Sequence, residues 1–313
     1  MPASIDSPSR RNLTRKALRP HGGFTLIELV FAITITGILA GITSVFIMRP
    51  VQGYFDLSRR AALVDASESA LRRMARDIRI ALPNSVRITN TSGGGFALEL
   101  IPIVDGGKYT TTGAVSVKIN LHGDFDQDFD NLGCFHAIAP DSYTNYRIVI
   151  NNLGTSGYDA YASPQINKQG NTTGVITPGG LTLTITNNAG ANCPSTGDQH
   201  IHFSQNHAFL DSSPQNRFFV VEKPVTYLCD KAAGTLTRYA SYDFQSSQLT
   251  TAAALNALPG VTSALVANRI SACSVSTSAQ DVRNRGLATL DLSLAESGET
   301  VRLIHQAQLD NSR

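Results

Sequence analysis

The chain has 313 residues, 42 % of them apolar and only 16 % charged, and a small net charge beside recurrent apolar runs excludes a disordered polymer. Of the formal +2 charge, five bases (Arg10, Arg11, Arg15, Lys16, Arg19) and one acid (Asp6) lie in residues 1–23. The remainder carries 21 basic and 23 acidic residues, so no basic face is left for nucleic acid.

After that polar leader, residues 24–48 read FTLIELVFAITITGILAGITSVFIM, with Glu28 the one charge. The twenty uncharged residues Leu29–Met48 make a helix of about 30 Å, enough for a bilayer core. The leader's bases would hold it on the cytoplasmic side. A cleaved secretory signal does not fit, because its small-residue site would fall near residue 48, where Ile47-Met48-Arg49-Pro50 stands. A plain anchor leaves Glu28 unexplained, since a carboxylate in lipid costs about 2–3 kcal/mol. Gly37 and Gly41 share a face on which two helix backbones can approach. Pro50 is expected to kink or break the helix.

The helix is expected to resume from Leu57 to Leu82. Leu57, Val64, Leu71 and Ile78 recur every seven residues, flanked by Met74, Ala75 and Leu82, and predict an amphipathic stripe docked on a sheet. Arg59, Arg60, Arg72, Arg73, Arg76 and Arg79 fall on other faces, and Pro83-Asn84-Ser85 marks the end.

Residues 83–313 read as a β-rich head, with a subdomain near 105–215. The strands expected are 96–104, 114–121, 146–150, 181–186, 218–221, 225–229, 236–239, 270–274, 288–294 and 301–309. Glu296-Ser297-Gly298 is the turn of a closing hairpin, and 252–258 a short helix stopped by Pro259-Gly260. The fold class is therefore α+β: a long N-terminal helix packed on a mainly antiparallel sheet.

Four cysteines with no CxxC pair, in an exported head, read as two disulfides. Three connectivities are open; Cys134–Cys193 with Cys229–Cys273 is the favoured one. Asp124, Asp126, Asp128 and Asp130 alternate as calcium ligands do. Phe129 and Phe135, however, stand where an EF-hand needs Gly and Glu, so a solvated acidic loop is expected. His200, His202 and His207 near Asp198 have the spacing of a strand-borne zinc site but no HExxH, so surface histidines are expected. No metal, cofactor or catalytic constellation is assigned.

The run Gly22-Gly-Phe-Thr-Leu-Ile-Glu-Leu29 resembles the type IV prepilin signature. The resemblance implies that a prepilin peptidase cuts after Gly23 and methylates Phe24 as the new N-terminus. It also implies that Glu28, fifth in the mature chain, pairs with a neighbouring subunit's terminal amine during assembly. A buried charge must be paired, so one such pair fixes register. The implied domains are a cleaved leader (1–23), a helix (24–82, with 24–48 transmembrane) and the head (83–313).

Along the rest of the chain, Arg73–Arg79 with Leu82–Ser85 is similar to MshO-type minor pilins of the mannose-sensitive haemagglutinin (MSHA) pilus. So are Asn152–Gly154 with Tyr158–Tyr161, Val225–Cys229 with Gly234–Arg238, and the end from Gly298. The leader is longer than that family's, as an over-extended gene start would make it. The function implied is pilus assembly or its initiation, with a place at the tip and a role in adhesion. The partners are other pilins, the prepilin peptidase and the inner-membrane assembly platform. The location is the inner membrane with a periplasmic head, then the surface filament. Two alternatives stand beside it: a J-class pseudopilin of type II secretion, and a membrane-anchored ligand-binding module.

Overall fold

The computed structural model describes residues 23–111, 119, 121, 126–162, 165–166, 172–193, 195–278 and 285–310. The leader up to Gly22, Asp124, Phe125 and most of the strand expected at 114–121 lie outside the described residues. The chain divides into two compact units, one ending at Asp56 and the other starting at Leu57. The fold is α+β: a long, apolar N-terminal helix followed by mostly antiparallel sheets.

Helix α1 spans Leu26–Arg79 with Pro50 inside it, so the expected break does not occur. Proline removes one amide and crowds one carbonyl, and the flanking turns keep their own bonds. The helix also stops before Leu82. Up to Asp56 no side chain of α1 is buried, and its first part is long and apolar enough to cross a membrane.

In the second unit α1 buries Leu63, Ser67, Ala70, Leu71, Met74, Ala75 and Ile78, a spacing of three and four that keeps one face inward. The stripe therefore begins at Leu63. Leu57, expected to open it, is 68 % exposed. Ser67 satisfies its buried hydroxyl by donating to the Leu63 carbonyl at 2.8 Å.

This face packs on a five-stranded antiparallel sheet ordered Arg87–Asn90, Phe96–Leu100, Val225–Asp230, Thr235–Ala240, Thr262–Asn268. The same core is completed by the three-stranded sheet Ile270–Ser278, Arg285–Glu296, Glu299–Asp310. The last two strands form the expected hairpin. Glu296 faces Glu299, and both turn residues, Ser297 (φ 50°) and Gly298 (φ 88°), take the positive φ a two-residue turn requires.

The strand expected over 96–104 is two strands in different sheets. Pro102 offers no amide to a ladder, and the chain leaves the first sheet there to enter another as Ile103–Lys108. That second sheet (Ile103–Lys108, Arg217–Val221, Arg147–Val149) and a six-stranded one around Gln199–Phe209 enclose their own core. Phe129, Phe135, Phe203, Phe209 and Phe218 fill it, where the sequence suggests a subdomain. The short helix is Ala252–Asn256, capped when Ala254 N–H donates to the Thr251 hydroxyl.

Candidate functional site

Gly23, Phe24 and Thr25 precede the helix, and Gly23 and Phe24 are open to solvent, Phe24 being 83 % exposed. Among the described residues no hydrogen-bonded turn includes the peptide joining Gly23 to Phe24. A Cβ on Gly23 would meet nothing within 4 Å.

The helix starts immediately afterwards for a local reason. Thr25 precedes it, and its hydroxyl accepts from the Glu28 amide at 3.3 Å, while the Thr25 carbonyl accepts from Leu29 N–H at 3.1 Å. Thr25-Leu-Ile-Glu28 is the Ser/Thr-x-x-Glu pattern of a capping box, with an acid where the helix dipole favours one. Sequence reasoning missed Thr25, although that spacing signals it. Glu28 thus has a local role, ending the first turn, beside any intermolecular one.

From Leu26 to Met48 the large apolar side chains point outward on all sides, each at least 44 % exposed. The hydroxyls in this stretch are satisfied internally: Thr34 donates to Val30 O (2.9 Å), Thr36 to Ala32 O (2.7 Å) and Thr43 to Leu39 O (2.8 Å). Such back-bonding suits an apolar surrounding that offers no partners. Gly37 and Gly41 would each meet nothing with an added Cβ, so no contact among the described residues requires glycine there.

Residues 18–44 match the family model of the prokaryotic N-terminal methylation motif. That motif supports a type IV pilin-like protein, of a pilus or a pseudopilus, and hence a structural protein rather than an enzyme. No curated protein and no solved structure gives a significant match to the chain.

In the β-rich part the acidic run is a strand, Asp126–Asn131, not the expected loop. Asp126 and Asp128 are half-buried, while Phe129 and Asp130 are buried. It pairs antiparallel with Gln199–Phe209, setting Asp130 opposite His200 and Asp128 opposite His202. Ring nitrogens of His200 lie 2.9 Å from Asp130 Oδ1 and 3.1 Å from Asp128 Oδ1, and His202 Nδ1 lies 2.6 Å from the same Asp128 oxygen. Two motifs read separately in the sequence are therefore one cross-strand cluster. Asp126 instead accepts from the Gln127 amide, 2.9 Å away. His207 turns inward to Thr172 Oγ1 (2.8 Å) and the Gly174 carbonyl (3.2 Å). Burial pushes its pKa down to about 4, against the raising effect of that carbonyl. Among the described residues no three His, Cys, Asp or Glu side chains are grouped to hold a metal.

Two polar clusters join residues that the sequence reading did not mark as a site. Asp77, on α1, accepts from the Tyr227 hydroxyl (2.8 Å) and Arg238 Nε (3.0 Å), tying the helix to two central strands. Glu99, only 1 % exposed, accepts from Arg87 (2.7 Å) and Tyr242 (2.8 Å). Its pKa is raised because burial outweighs the Arg87 charge. Arg87 also donates to the carbonyls of Gln245 and Ser246, clamping that loop on the sheet edge. Disulfides join Cys134 to Cys193 and Cys229 to Cys273, the second linking the two sheets of the α1 core.

Proposed function

We propose that the chain is a minor subunit of a type IV pilus of the MSHA kind, processed between Gly23 and Phe24 and assembled through α1. The observation that carries this reading is Glu28. It is the one charge in a helix stretch exposed on every side, and it stands five residues beyond an accessible Gly–Phe bond. Removed from water, that carboxylate needs a cation, and the amine freed at Phe24 of a neighbouring subunit supplies one. The non-repetitive head, large beside the helix, suits a low-copy subunit that initiates assembly and, at the tip, contacts a surface.

Membrane insertion comes first in this scheme, with the leader's bases on the cytoplasmic side and the head, held by its disulfides, in the periplasm. Mass spectrometry of the protein from cells with a prepilin peptidase tests the processing step. The expected mature chain begins at N-methyl-Phe24, and a retained leader would sink the reading. Glu28→Ala, expressed beside the other subunits, is expected to be cleaved normally yet to lower filament number. Unchanged filaments would remove Glu28 from assembly.

A further inference from the structure

Glu222 and Lys223 lie where the chain passes from one sheet to another. They follow the strand Arg217–Val221 and precede Val225–Asp230, the central strand of the five-stranded sheet. Both are exposed and they carry opposite charges. Among the described residues, however, neither forms an ion pair with the other or with a third group.

Both line a cleft of about 480 Å³, the size of a small-molecule site. The five-stranded sheet contributes Val225, which is buried, and Ala240, which stands opposite Thr262 on the neighbouring strand. Lys223 reaches over to Ser241, but its ammonium is 3.5 Å from that carbonyl, the outer limit of a hydrogen bond. Ser241 takes a positive φ of 67° as the strand ends, and its hydroxyl accepts from Thr262 at 3.3 Å. Arg238, also in the wall, is engaged through Nε by Asp77 at 3.0 Å. Its charge is therefore met within the chain, while those of Glu222 and Lys223 are not. Other cavities offer no such pair. One of about 310 Å³ along Phe135–Pro140 has neither a carboxylate nor an ammonium in its lining, and one of about 40 Å³ beside Leu82–Asn84 has room for a few waters only.

We propose that the cleft binds a short zwitterionic peptide, its free carboxylate on Lys223 and its free amine on Glu222. A ligand with a single charge, or a neutral sugar, would cover the second protein charge and leave it without a partner. No aromatic ring lines the cleft, so a planar ligand finds nothing to stack on. The hydroxyls of Ser241 and Thr262 and the amide of Asn145 can each donate and accept, as a peptide link requires. Val225 and Ala240 leave space for a small apolar side chain.

The test uses the full, unprocessed chain in detergent micelles, so it needs neither cleavage nor filaments, and failure of the pilin reading would not touch it. Calorimetric titration compares L-alanyl-L-alanine with its N-acetyl form, its C-terminal amide and the neutral disaccharide cellobiose. The free dipeptide is expected to bind, and blocking either end to weaken binding about tenfold. Each variant should erase one of these differences only. Lys223→Gln is expected to bind the dipeptide and its amide alike while still discriminating against the N-acetyl form. Glu222→Gln is expected to bind the dipeptide and the N-acetyl form alike while still discriminating against the amide. Circular dichroism checks that both variants fold. No heat with the dipeptide, equal binding of the blocked forms or of cellobiose by the parent, or variants that shift all the peptide ligands equally would each overturn the proposal.

Discussion

Between Leu26 and Asp56 helix α1 buries no side chain, whereas between Leu57 and Arg79 it buries seven. The buried stretch is the less hydrophobic of the two. It carries six arginines and buries even a serine, while the exposed stretch is almost wholly apolar. Burial within the chain thus follows the three-and-four spacing that lets one face meet a sheet. A helix that is apolar all round has no such face and awaits a membrane or other helices. The contrast separates a region stabilised from inside the chain from one that must be stabilised from outside it.

The largest effects should fall on the second region. Replacing Cys229 and Cys273 by Ser frees a 44-residue loop that joins the two sheets behind α1. Chain entropy puts the loss at about 4 kcal/mol. The midpoint of denaturant unfolding, followed by circular dichroism in detergent, should drop accordingly, and an unchanged midpoint would refute the bridge's role.

A smaller pH effect belongs to the same region. His207, held near a pKa of about 4 by burial, is ordinarily near 6.5 once unfolded. Between those values the unfolded chain binds the extra proton, so stability is full above about pH 6.5 and falls as pH drops toward 4. The loss approaches about 3 kcal/mol. Thermal midpoints recorded across that window should show the slope in the parent and a reduced slope in His207→Gln. Equal slopes would assign the titration to another group.

Within α1 itself, Met74→Ala and Leu39→Ala set the two stretches against each other. Met74 is fully buried, and truncation there should cost about 3 kcal/mol. Leu39 is 56 % exposed, and truncation should leave the unfolding midpoint of the β-rich region unchanged within about 0.5 kcal/mol. A cost at Leu39 comparable to that at Met74 would erase the distinction.

Much of this division was readable in the sequence because it rests on local pattern. Twenty uncharged residues announced the outward-facing helix, a helical period announced the docked one, and Ser297-Gly298 announced its hairpin. What escaped depends on residues far apart in the chain. The acidic run looked like a loop because a carboxylate at every second position hides a strand until its partner, His200 and His202, is placed beside it. Glu99 gave no signal, since the Arg87 clamp closes on carbonyls about 158 residues away. Pro102 was the available clue that one expected strand is two. Pro50 does not break the helix, because a missing amide in a helix of 54 residues is a local loss. The processing proposed at Gly23, by contrast, rests on residue types alone, as a peptidase would have to read them that way.

The smallest predicted effect sits where the outward-facing stretch begins. The Thr25 hydroxyl caps the first turn at the Glu28 amide, the residue proposed to pair between subunits. Thr25→Ala removes that acceptor and should weaken the turn by about 1 kcal/mol. Hydrogen exchange of the Glu28 amide, in detergent, should then quicken about fivefold, one kcal/mol expressed as an opening equilibrium. Thr25→Ser keeps the acceptor and should leave the rate near that of the parent. If Ala and Ser behave alike, the turn is held by the surrounding medium and not by its cap. The dependence on outside partners would then extend to the first residues of the helix.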